Sequence, residues 1–155
     1  PVENNNHPQY DKMVLAHELT HVVHAKTSFS KGEWIRPLAS VLMQEGLAMS
    51  VSQSIAPGLD ESMYVTDEVG WLSSCRVVEN DIIQGIKSHL EHQDSTTLFK
   101  FTMGHGLTGH QREAYYVAWL LFEQLLHKHS FKTLAHVHED EMTAFIKDEY
   151  KRIEH

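Results

Sequence analysis

Cysteine is almost missing from this sequence, since Cys75 is the only one among 155 residues. This excludes a disulfide framework and a zinc ribbon built from clustered cysteines, and it leaves nothing that demands an oxidising compartment. Basic residues are also few: 13 Lys and Arg face 21 Asp and Glu, and the net charge of −8 argues against nucleic acid as a partner. No apolar run approaches the length of a transmembrane helix, and there is no repeat or low-complexity tract.

The spacing of apolar residues predicts a mainly α fold, and the length fits one domain over residues 1–155. Pro37 suits the first turn of a helix, and Pro57-Gly58 marks the end of that helix. The predicted helices cover residues 9–26, 37–55, 67–92, 110–127, 131–135 and 139–153. Residues 103–109 contain three glycines and predict a mobile loop beside a functional site.

Histidine, by contrast, is abundant, with 13 residues. The first predicted helix carries His17-Glu18-Leu19-Thr20-His21, the His-Glu-x-x-His pattern of zinc metallopeptidases. Residues four apart lie on one face of a helix, so His17 and His21 can direct two imidazoles at one metal ion. Glu18 points about 100° around the helix axis from His17, which suits a base that acts on a metal-bound water.

The residues around this motif decide between a metal site and an ordinary helix with two surface histidines. Apolar residues spread over most of the helix circumference and predict a buried helix: Met13, Val14, Leu15, Ala16, Leu19, Val22 and Val23. Buried polar groups need partners, and a metal ion would supply one. His24, one turn beyond His21, is interpreted as a neighbour of the ligands or as a solvated residue.

Glu45 is the candidate for a third ligand. It falls within the apolar stripe of the second predicted helix, and a buried carboxylate must be paired or bound to a metal. Two histidines, one glutamate and a water form a known catalytic zinc set. The alternatives are that Glu45 is partly exposed, or that it pairs with Arg36 or Arg112.

The spacing of these residues separates two branches of zinc peptidases. The metzincin pattern requires Gly and His where this sequence has His24 and Thr27, so that interpretation fails. A ligand Glu on a following helix instead resembles the gluzincins, and more narrowly a bacterial family of predicted zinc-dependent proteases. Three blocks carry the resemblance, from about residue 13 to 126: His17-Glu18-Leu19-Thr20-His21-Val22-Val23, Glu45-Gly46-Leu47-Ala48, and Ala114-Tyr115-Tyr116-Val117-Ala118-Trp119.

The resemblance implies a zinc-dependent peptidase of helical, zincin-like architecture. It would assign zinc ligation to His17, His21 and Glu45, and the general base to Glu18. Gluzincins also hold the oxyanion of the tetrahedral intermediate with a Tyr or His, and such a donor contributes about 2.7–4 kcal/mol. Tyr115 is the candidate here, followed by Tyr116 and His110, although core packing is an equal expectation for either tyrosine.

Two features depart from the gluzincin pattern. Thermolysin-like enzymes carry an Asp four residues after the ligand Glu, where this sequence has Met49, so support for the zinc-bound histidines must come from elsewhere. Gluzincins also place a β-sheet before the first helix, and here the helix pattern begins close to Pro1. We expect either a fragment that lacks those strands or a reduced, mostly helical version.

The leading hypothesis is hydrolysis of peptide bonds in a peptide or protein substrate, through a zinc-activated water with Glu18 as general base. A zinc-bound structural or regulatory module without turnover is the second, although such a module has no need of Glu18. A zinc hydrolase that acts on a non-peptide bond is the third, because the same metal chemistry serves other bonds.

Overall fold

A computed structural model describes residues 8–33, 35–66 and 68–153. The fold is mainly α, as predicted, and the described residues contain no β-strand. Nor does any helix of the described ranges have the length and apolar character needed to cross a membrane. A short 3-10 helix spans Glu61–Tyr64, and the α-helices are α1 (Pro8–Thr27), α2 (Leu38–Ile55), α3 (Trp71–Val77), α4 (Glu79–Lys87), α5 (Ser95–Thr102), α6 (Glu113–Leu125), α7 (Phe131–Ala135) and α8 (Glu139–Tyr150).

Helix α2 is the centre of the fold and packs against α1, α6, α7 and α8. Its sequence is apolar nearly all round, so every side of it can be covered by another helix. Leu38, Leu42 and Met43 are fully buried in it. Glu45 lies on this helix, and its backbone is therefore held by the core of the protein.

The sequence predicts the bounds of three helices closely, but it predicts one helix where there are two, and it misses α5. The bounds of α1, α2 and α7 match the prediction to within one residue. The single helix predicted over 67–92 is wrong: α3 and α4 are separate, because Val78 leaves the helical region with φ −121° and ψ 24°. Val69, within the predicted range, is 73% exposed and lies outside any helix, and Asp67 lies outside the described residues.

The prediction that α1 is buried nearly all round is also wrong. Only Met13, Ala16, Thr20 and His24 are buried, and these residues form one stripe. The stripe faces α2, the helix with which α1 shares most of its contacts. Five other apolar residues of α1 are between 39% and 59% exposed: Val14, Leu15, Leu19, Val22 and Val23.

Candidate metal centre

The structure brings His17, His21 and Glu45 together where α1 crosses α2. The Nε2 atoms of His17 and His21 are 3.1 Å apart. The Oε2 atom of Glu45 lies 3.4 Å from Nε2 of His17 and 3.6 Å from Nε2 of His21. Among the described residues, these three form the one cluster of His, Cys, Asp and Glu side chains whose ligand atoms could all reach a single ion.

The distances suit a zinc ion. Ligands at 2.0–2.1 Å in a tetrahedron around zinc lie about 3.3 Å from one another. The three measured separations lie on either side of that value. Two imidazole nitrogens and a carboxylate oxygen are also ligands that zinc accepts, and a fourth position remains for water or substrate.

The side chains of the three residues are only partly covered, with exposed fractions of 22% for His17, 30% for His21 and 12% for Glu45. Glu45 is thus of intermediate burial, and its carboxylate lies against His17 and His21. Burial alone would raise the pKa of Glu45, but hydrogen bonds from His17 and His21 and their charges lower it to about 2. Burial would likewise lower the pKa of His21, yet Glu45 and Glu18 raise it above 6.5.

Glu18 lies beside this centre on the exposed side of α1. Its carboxylate is not one of the three clustered ligands. It is nevertheless close enough that its charge raises the pKa of His21. A carboxylate that is exposed, charged and adjacent to the ligands can accept a proton from a water at the centre and release it again.

Tyr115, on the first turn of α6, is the predicted oxyanion donor that lies next to the centre. Burial and the neighbouring Glu45 carboxylate raise the pKa of Tyr115, so its hydroxyl keeps its proton at neutral pH. The guanidinium of Arg112 lies 5.4 Å from the centre of its ring. A protonated hydroxyl at this place can donate a hydrogen bond to a bound substrate.

The two other candidates for this role are engaged elsewhere. The hydroxyl of Tyr116 donates a hydrogen bond to Glu79, and its ring is fully buried against Trp71. Nδ1 of His110 lies 2.9 Å from Oγ1 of Thr108, within the loop before α6. Tyr116 is therefore a core residue, and His110 contributes to the loop.

His24 is buried, at 2% exposure, so the interpretation as a solvated residue is wrong. Its Nε2 atom has no hydrogen-bond partner among the described residues. Burial and the nearby His21 lower the pKa of His24 to about 4, so its imidazole is neutral. His24 lies behind the ligand pair, between α1 and α2.

Gly46 and Met49, which follow Glu45 on α2, both contribute to packing. A Cβ atom on Gly46 would overlap the ring of Phe122 on α6. The missing side chain therefore makes room for α6. Met49, four residues after Glu45, is fully buried in the core.

The glycine-rich loop is tied to the start of α6 by a buried carboxylate. The carboxylate of Glu113 is completely buried and accepts hydrogen bonds from the backbone N–H groups of Leu107 and Thr108 and from the Thr108 hydroxyl. A Cβ atom on Gly106 would overlap this carboxylate, so the loop requires glycine there. The loop is thus fixed to Glu113, the first residue of α6, which precedes Tyr115 by two residues.

Sequence reasoning missed two further residues at this site. Glu113 has the sequence context of an ordinary acidic residue in the first turn of a helix, and no local pattern indicates its burial. Arg36 was considered only as a partner for Glu45, whereas its charge also partly offsets the rise in the pKa of His21 and of Tyr115. The available sequence signal was that Arg36 lies directly before Pro37 and the helix that carries Glu45.

No known family model, no curated protein and no solved structure matches this chain. The function of the protein is therefore inferred from the geometry of the site.

Proposed function

We propose that this protein is a zinc-dependent peptidase of the gluzincin type. One observation carries the proposal. His17 and His21 on α1 converge with Glu45 on α2 at distances of 3.1–3.6 Å, and the carboxylate of Glu18 lies beside them. His17, His21 and Glu45 would hold the metal, and Glu18 is not needed for ligation.

Each remaining group at the centre has a chemical task in this proposal. A bound zinc ion supplies Lewis acidity and lowers the pKa of water to about 7. Glu18 takes the proton of the attacking water and passes it to the leaving amine. The hydroxyl of Tyr115 donates a hydrogen bond to the oxygen of the scissile carbonyl, where negative charge develops.

The position of the centre at the surface supports turnover over a purely structural role. A structural zinc site is closed by four protein ligands, whereas three ligands leave a position open. His17 and His21 are half-buried, and Glu18 is exposed, so a peptide can approach from the side of α1 that faces solvent.

The first test is zinc content per chain by elemental analysis after a mild chelator wash, because the 13 histidines can also collect stray metal. We expect one zinc in the parent and much less in Glu45→Ala. Glu141→Ala, which removes an exposed glutamate outside the cluster, should keep the zinc of the parent. Equal zinc in the parent and Glu45→Ala would remove Glu45 from the ligand set.

The second test separates a peptidase from a zinc module without turnover. Glu18→Gln should retain zinc and lose peptide hydrolysis, and Tyr115→Phe should retain zinc while its kcat falls by about 100-fold, the usual effect of removing one oxyanion donor. Hydrolysis of a peptide library by the parent and these variants measures both effects. A parent that holds zinc but cleaves no peptide favours the module or a different bond, and an active Glu18→Gln variant contradicts the mechanism.

A further inference from the structure

A cleft of about 640 Å³ borders the candidate metal centre, between α2, α5 and the start of α6. Glu45, Tyr115 and Arg36 line it, so it reaches a proposed ligand and the proposed oxyanion donor. Its other lining residues are four with large apolar side chains and three with small hydroxyl side chains: Val41, Leu98, Phe99 and Met103, and Ser95, Thr96 and Thr102. The volume lies within the range of about 300–1,000 Å³ that is typical of ligand sites.

A second cavity shares Arg36 and Glu45 with this cleft but differs from it in size and chemistry. Its volume is about 270 Å³. The side chains that line it are mainly polar or charged, and they include His21, Glu33 and Gln44. Of the two cavities that reach Glu45, only the larger therefore offers an apolar wall.

Two large apolar side chains of the cleft face solvent. Phe99 is 64% exposed and Met103 is 55% exposed, although both line a concave surface. A ligand with an apolar group would remove this surface from water, which is favourable.

We infer that this cleft is a specificity subsite that binds one large apolar side chain of the peptide substrate, with the size of leucine, methionine or phenylalanine, next to the bond that is cleaved. The inference rests on the proposed zinc site, because Glu45 and Tyr115 connect the cleft to the reacting atoms. Phe99 is the main specificity residue, since it is the largest apolar side chain of the cleft and is accessible.

The test measures binding instead of turnover. Acetohydroxamic acid and 4-methylpentanohydroxamic acid carry the same zinc-binding group, and only the second has a leucine-sized tail. Their Kd values are measured by calorimetry on the zinc-loaded parent. We expect the longer compound to bind at least about tenfold more tightly, because each buried methylene strengthens binding about fourfold.

Phe99→Ala and Phe29→Ala form a matched pair for the same experiment. Both positions are exposed phenylalanines, at 64% and 70%, and Phe29 does not line the cleft. Phe99→Ala should reduce the ratio of the two Kd values at least threefold, and Phe29→Ala should leave it unchanged.

Equal Kd values for the two hydroxamates in the parent would overturn the subsite while the zinc site survives. Equal ratios in Phe99→Ala and Phe29→Ala would overturn the role of Phe99. Failure of both hydroxamates to bind the zinc-loaded parent would instead overturn an open position on the metal beside the cleft, and the subsite with it; absence of zinc from the parent would overturn the metal site itself.

Discussion

Helices α1 and α2 have similar lengths, 20 and 18 residues, and both are rich in apolar side chains, yet the fold uses them differently. Four residues of α1 are buried, in a single stripe, whereas twelve residues of α2 are buried. Apolar content alone does not decide burial; the number of neighbouring helices does. Among the described elements, α2 is covered on several sides, and α1 lies on the outside of it.

This difference locates the candidate centre at the boundary between core and surface. The half-exposed histidines come from the outer helix, and the more covered carboxylate comes from the inner one. A rigid core thus fixes one ligand, while solvent retains access to the other two. A reaction centre needs both properties, because its groups must be held in place and its substrate must reach them.

The largest loss of stability is expected for a substitution in α2, the inner helix. Leu42→Ala removes a completely buried side chain of α2 and leaves a cavity in the core. We expect the free energy of unfolding to fall by about 2–5 kcal/mol, as measured by urea denaturation of the metal-free protein. A loss below 1 kcal/mol would mean that α2 is not the packed centre of the fold.

A pH-dependent effect is expected where the two helices meet. The pKa of His24 is lowered to about 4 in the folded protein, against 6.5 when it is exposed, so the unfolded chain binds this proton first. As pH falls from 6.5 to 4, the metal-free parent should therefore lose up to about 3 kcal/mol of stability through His24.

His24→Leu should remove this loss, and His127→Leu, at an exposed position, should not. His21 acts in the opposite direction, because its raised pKa stabilises the folded state below pH 6.5 and this contribution is lost as pH rises through the folded pKa. The difference between the parent and His24→Leu, measured by denaturation at several pH values, isolates the buried histidine. If the stability of the parent and of His24→Leu fell in parallel as pH falls, His24 would not be the source of the loss.

The smallest loss of stability is expected for a substitution on the exposed face of α1, the outer helix. Leu19→Ala makes the same change as Leu42→Ala, but at a position that is 53% exposed. We expect a change of less than about 1 kcal/mol in the free energy of unfolding, and no change in zinc content. A loss as large as that of Leu42→Ala would show that the outer face of α1 is covered in solution.

The sequence alone predicts the parts of the molecule that depend on local rules. Proline and glycine mark the ends of α2, and the four-residue spacing of His17 and His21 places both imidazoles on one face. A carboxylate inside the apolar stripe of α2 marks Glu45 as a candidate ligand, whereas its convergence with the two histidines depends on the packing of α1 against α2.

The remaining features depend on tertiary contacts. The exposure of Leu15 and Leu19 is set by which helices pack against α1, and the break at Val78 falls within a continuous helical pattern. Arg112 starts α6 from the left-handed region, with φ 58°, although it is not a glycine. Such a conformation persists only when the surrounding structure holds it, and a local pattern cannot reveal that.

The buried carboxylate of Glu113 also affects the motions of the chain. Opening the loop would leave a charge without donors in the protein interior, so the loop and the first turn of α6 should open as one cooperative unit. The amide hydrogens of Leu107 and Thr108 should then exchange with solvent as slowly as those of the helix. A glycine-rich surface segment would behave dynamically as part of the element that carries Tyr115.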